Sequence, residues 1–220
     1  MKPTTLLLLV IVSIFTSARS HAESPELILA NAHGLSDWNK VETLQFTFYV
    51  ARKPPVSRTW LWNLSENSVT RTAGGESRTI QLQDIETGNE ADTDVHKQFI
   101  NDTFWLLFPF SIAWSSPQVT DHGEVTIELN GETTKLRKLT ALWPSDEGYT
   151  PGDAYDIFID EEQKIHAWNF RKANRKKKGR FFEWKDPKDL GPIRIYESYH
   201  RQGETTPMIQ MKDLKITLAD

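Results

Sequence analysis

The chain has no cysteine, which excludes disulfide frameworks, thiolate metal sites, iron–sulfur clusters and cysteine nucleophiles together. It lacks an excess of positive charge: 26 Lys and Arg face 30 Asp and Glu, a formal net of −4. No global field gathers nucleic acid, and none is expected as a partner. No repeat of about 20–50 residues recurs and no low-complexity linker divides the chain. At 220 residues it can bury a full core without staples, so one domain is expected. Glycine-rich phosphate loops, paired zinc-protease histidines and the nucleophile elbow are all missing. The six histidines are scattered singly and nominate no triad, so no catalytic residue and no cofactor is expected. Asp92-Thr93-Asp94-Val95-His96 could offer two carboxylates and an imidazole to a cation. Acids at a helix start are favoured by the dipole and by capping, so a structural role is expected there and no metal site.

What is present begins with an address. Lys2, an apolar run from Leu6 to Val12 continuing through Ile14 and Phe15, and the small-residue ending Ser20-His21-Ala22 form a secretory signal pattern. The run is about half the roughly 20 apolar residues of a spanning helix, and polar Glu23-Ser24-Pro25-Glu26 follows it. Cleavage after Ala22 is expected, leaving a single domain over residues 23–220. Loss of Lys2 and Arg19, with no acid lost, moves the net charge from −4 to −6. With no cysteine for an acylated anchor and none for disulfides, the expected product is soluble and periplasmic.

The rest of the chain is mostly period two. Leu44, Phe46, Phe48 and Val50 alternate with polar residues up to Arg52-Lys53-Pro54-Pro55, and Val56 to Leu64 returns as a hairpin arm with Trp60 and Trp62 on one face. Shorter strands flank Gly74-Gly75. Asp92 to Leu107 breaks the pattern, with Val95, Phe99 and Leu106 at helical spacing and Pro109 as the expected stop. Alternation resumes over Glu124–Leu129, turns at Asn130-Gly131 and continues over Thr134–Trp143. Ala154–Asp160, Lys164–Arg171, Gly179–Lys185, Ile193–His200 and Met211–Leu218 complete about ten strands around one clear helix.

Ile100-Asn101-Asp102-Thr103-Phe104-Trp105-Leu106-Leu107-Phe108-Pro109-Phe110, then Thr150-Pro151-Gly152-Asp153-Ala154-Tyr155-Asp156-Ile157-Phe158-Ile159-Asp160, then Ile165-His166-Ala167-Trp168, resemble a LolA-like bacterial family of undefined function. The similarity runs over most of Asp37 to Leu218. It implies a mainly β (α+β) fold: a strongly curved antiparallel sheet, an incomplete barrel, closed by one or more helices over an apolar cavity. It carries over no ligand-defining motif.

Aromatic side chains are the informative excess. A curved sheet has a concave face whose aromatic lining either fills itself or receives a ligand. Phe46, Phe48, Trp60 and Trp62 on neighbouring strands, with Phe104, Trp105 and Phe108 at the helix end, are the expected lining of a site for a lipid, acyl chain or other apolar molecule. Arg171, Lys172, Arg175, Lys176, Lys177, Lys178 and Arg180 form one basic run between two strands. It is either a solvated hairpin tip or a transient contact with an anionic membrane surface or an envelope protein. The expected function is that of a non-enzymatic periplasmic binding or carrier protein. The alternatives are an envelope protein-interaction module and a hydrolase whose site assembles only in three dimensions.

Overall fold

The computed structural model describes residues 23–84, 89–145, 151–176 and 179–219. Residues 1–22, expected to be a signal segment, Thr150, and Lys177 and Lys178 of the basic run lie outside the described residues. A first helix, α1 (Pro25–Ala32), precedes four strands: β1 (Val41–Val50), β2 (Val56–Asn63), β3 (Ser68–Ala73) and β4 (Glu76–Gln81). Two helices follow, α2 (Glu90–Leu106) and α3 (Phe108–Ser115). Seven more strands complete the chain: β5 (Gln118–Leu129), β6 (Glu132–Leu142), β7 (Ala154–Ile159), β8 (Ile165–Arg171), β9 (Arg180–Leu190), β10 (Ile193–Arg201) and β11 (Ile209–Leu218). The fold is mainly β, an antiparallel sheet of eleven strands in the order β4-β3-β2-β1-β11-β10-β9-β8-β7-β6-β5.

Each neighbouring pair except β1–β11 is consecutive in the chain, so the sheet is two meanders joined along that one seam. The two outer strands, β4 and β5, are not paired with each other, and the barrel stays open. Tight turns set the registers. Asn130 and Gly131 both take positive φ, 54° and 81°, as a two-residue hairpin turn that matches the strand twist requires.

The sheet is curled. β2 stands third and β7 ninth in the order, six steps apart, which at about 4.8 Å per step would separate them by about 29 Å in a flat sheet. One helix nevertheless touches both: Phe99 of α2 packs on Trp60 of β2 with ring centroids 5.4 Å apart, and Phe104 packs on Tyr155 of β7 at 5.3 Å. A helix is about 10–12 Å across, so the sheet must wrap around α2.

The helical region departs from the expectation in two places. Asn89, not Asp92, caps α2, its side chain accepting from the Asp92 N–H, while the Asp92 carboxylate takes Arg78. Pro109 does not end the helical stretch. The break is at Leu107, whose φ of −115° leaves the helix, and Pro109 opens α3 as a first-turn residue, where its fixed φ and missing N–H cost nothing. α1 begins the same way, with Pro25 in its first turn, and buries Leu29 and Ala30.

Candidate functional site

α2 carries two stripes. Val95, Phe99, Asp102 and Leu106 recur at helical spacing and are buried. This stripe is locked to β2 by a polar clamp: Arg58 donates twice to Asp102, through Nε at 2.7 Å and Nη2 at 2.6 Å, and the Trp60 indole N–H donates at 2.8 Å. The Asn101 amide donates to the same carboxylate at 2.9 Å. Burial pushes the Asp102 carboxyl up, and these four donors pull it back. A carboxylate this deep is tolerated because its oxygens are fully engaged. Arg58 also lies over the Phe48 ring, 5.2 Å from its centroid.

The second stripe, Lys97, Ile100, Asn101, Phe104 and Trp105, faces an open cavity of about 960 Å³. Its far wall comes from the other wing of the sheet: Asp153 and Tyr155 at β7, Trp168 and Phe170 of β8, Arg180 and Phe182 of β9, and Arg201, Gln202, Glu204, Met208 and Ile209 at the β10–β11 end. Strand register explains the convergence. Trp168 lies opposite Phe182, Phe170 opposite Arg180, and Phe182 opposite Arg201, and directly paired residues share a face of a sheet. Trp105 reaches this wall, its ring 4.6 Å from Trp168 and 5.0 Å from Phe182. Its backbone carbonyl accepts the Tyr199 hydroxyl at 2.8 Å. The volume lies at the upper end of small-molecule sites, roughly 300–1,000 Å³.

The residues expected to line a pocket therefore divide. Phe104 and Trp105 are on the cavity wall. Phe46, Phe48, Trp60 and Phe108 are in the packed core, Phe108 with its ring 4.5 Å from Trp168 and 5.4 Å from Tyr155, and Trp62 is half-buried against Trp38 and Phe99. Proximity to α2 was legible, but which face of the helix each aromatic meets is settled by contacts across the sheet between strands distant in the chain. The aromatics missed at sequence level, Tyr155, Trp168, Phe170 and Phe182, had a usable signal in the period-two pairs Trp168/Phe170 and Arg180/Phe182.

The basic run also divides. Arg171 turns inward to Asp156, with Nε 3.0 Å and Nη2 3.1 Å from its carboxylate, and is a structural residue rather than part of a solvent-facing tip. Lys172, Arg175 and Lys176 are exposed, and Arg180 belongs to the cavity. Because Phe170 and Arg180 bracket the run and both line the cavity, the tip stands at the cavity mouth. The Asp153 carboxylate, also on the wall, accepts the Ala173 N–H at 2.7 Å and ties the tip down.

Other constellations are structural. Asp92 is bonded by Arg78, and Asp94 accepts from Gln98 at 2.7 Å. Among the described residues no group of three or more His, Asp and Glu is arranged to hold a metal. A serine, a histidine and an aspartate do meet: Ser198 Oγ is 2.5 Å from Asp186 Oδ2 and 3.0 Å from His200 Nε2. Their order is not that of a nucleophile relay. The carboxylate holds the hydroxyl, while His200 Nδ1 faces the Glu204 carbonyl at 3.2 Å.

No protein-family model and no curated protein matches the chain. Among solved structures, a DUF1329 family protein from Desulfovibrio piger aligns over 87% of this chain and 91% of its own, at 8% identity and a TM-score of 0.42.

Proposed function

We propose that the chain is an exported, periplasmic binding or carrier protein that takes a lipid, acyl chain or other apolar molecule into the cavity between α2 and the β7–β10 wall. The cavity carries this reading: about 960 Å³ of space bordered by Ile100, Phe104, Trp105, Trp168, Phe170, Phe182 and Met208. The LolA-like resemblance in the sequence points the same way. Burying about 300 Å² of ligand at ~25 cal/mol per Å² gives about 7 kcal/mol before the cost of association, enough for binding without a dense polar network. The exposed Lys172, Arg175 and Lys176 at the mouth fit a transient contact with an anionic membrane surface.

A fluorescent fatty acid is the direct test. Trp105 and Trp168 are in the wall, so uptake should quench or shift tryptophan emission and transfer energy to the probe, and Trp105→Arg should abolish uptake while the protein still melts cooperatively. Absence of probe binding to the wild type, at concentrations below micelle formation, overturns the carrier reading in favour of the interaction module.

A further inference from the structure

We infer that the ligand is an amphiphile with an anionic head, held by Arg180 and Arg201 at the cavity mouth while its tail lies along the aromatic wall. This rests on the cavity being a binding site and adds the charge of what it binds. Arg201 is the cross-strand partner of Phe182, and Arg180 is two residues from Phe182 on the same strand. The two arginines are thus diagonal neighbours on one face, about 7–8 Å apart by strand geometry. Neither guanidinium has a hydrogen-bond or ion-pair partner among the described residues, while the Arg201 carbonyl accepts the Glu204 N–H at 2.9 Å.

That is unlike the other arginines of the sheet. Arg58, Arg71, Arg78, Arg137, Arg171 and Arg194 all form ion pairs with acids, Arg71 at 3.8 Å from Asp94 while it donates to Gln98. Lys97, on the facing stripe of α2, also lines the cavity and is likewise unpaired among the described residues. Against these three cations the cavity presents two carboxylates, Asp153 and Glu204, and Asp153 is already engaged by the Ala173 N–H. A cationic mouth on a chain whose net charge is −4, with two neighbouring like charges left uncompensated beside an apolar wall, is the arrangement that an anionic head would neutralise. The planar forks of arginine suit either a carboxylate or a phosphate.

The test compares single-chain probes of equal length: a fatty acid, the corresponding fatty alcohol, a lysophosphatidic acid and a zwitterionic lysophosphatidylcholine. Wild type should bind the acid and the lysophosphatidic acid at least about tenfold more tightly than the alcohol and the zwitterion, the size of one hydrogen bond to a charged group. The preference should shrink with salt. The larger of the two anionic affinities identifies the head as carboxylate or phosphate. Arg180→Gln/Arg201→Gln should bring the anionic probes down to the alcohol's affinity and leave the alcohol unchanged. Glu204→Gln should tighten the anionic probes several-fold, a gain that misfolding cannot produce. Equal binding of acid and alcohol by the wild type overturns the anionic head and leaves the apolar site standing. Binding of none of the four overturns both.

Discussion

At the scale of the residue, His33 has the sharpest consequence. It is buried between α1 and β10, with Nδ1 2.9 Å from the Leu29 carbonyl and Nε2 3.4 Å from the Tyr196 hydroxyl. Neutral imidazole satisfies this chain: Nδ1–H donates to Leu29, and Nε2 faces the hydroxyl, which itself accepts the Ile165 N–H at 2.8 Å. Burial lowers its pKa from 6.5 to about 4. As pH falls through 6.5 the unfolded chain takes a proton that the folded one refuses until about pH 4, so stability falls across that window. By pH 4 the loss is about 3 kcal/mol. In urea titrations His33→Gln should close on the wild type by that amount between pH 7.5 and 4; a constant gap would place His33 outside the account. The aromatics give a second contrast. Trp60→Ala, in the packed core, should cost about 3–5 kcal/mol, whereas Phe104→Ala, beside open space, should cost roughly 1–3 kcal/mol. Denaturation midpoints read in parallel decide it, and equal losses would mean that the cavity wall is as packed as the core.

At the scale of the element, α2 is the part that both builds the core and walls the cavity, and the Asp102–Arg58–Trp60 clamp sets its position. Asp102→Ala strands the Arg58 guanidinium and should cost about 3–5 kcal/mol, most of it recovered when Arg58→Met is added. A double-mutant cycle by chemical denaturation checks this; additive losses would deny the coupling. The strands were legible because period two and turn chemistry are local: Asn130-Gly131 and the Leu44-to-Val50 alternation led directly to β5–β6 and β1. α1 and α3 were not, because eight-residue helices show too few turns for a 3.6 period, and Pro109 reads as a stop unless the break at Leu107 is known. Ser24-Pro25-Glu26 was the available signal for α1: a cap, a first-turn proline and an acid near the dipole's positive end.

At the scale of the whole molecule, curvature turns a row of strands into a container. Wrapping brings β2 and β7 onto one helix, packs Phe46, Trp60 and Phe99 on the β1–β3 side and Tyr155, Trp168 and Trp184 on the β7–β10 side into one core, and leaves a cavity along the Lys97-to-Trp105 stripe of α2. The aromatic strand faces could be read from alternation, and their concavity was what the LolA-like resemblance implied. Which aromatics pack into the core and which border the cavity could not be read, since that depends on contacts between residues far apart in the chain. The same wrapping carries the basic turn to the cavity mouth, so binding to anionic vesicles should be strong at low salt, fall steeply as salt rises, and weaken when Lys172, Arg175 and Lys176 are changed to Gln. Co-sedimentation reads this, and salt-independent binding would make the turn a bystander. The proposed function requires that the cavity beside α2 receive a ligand. Native mass spectrometry of residues 23–220, incubated with lipid vesicles and re-isolated without detergent, should show a lipid-mass adduct on the wild type that is absent from Trp105→Arg, and a wild-type spectrum showing only the bare chain would overturn ligand binding in the cavity.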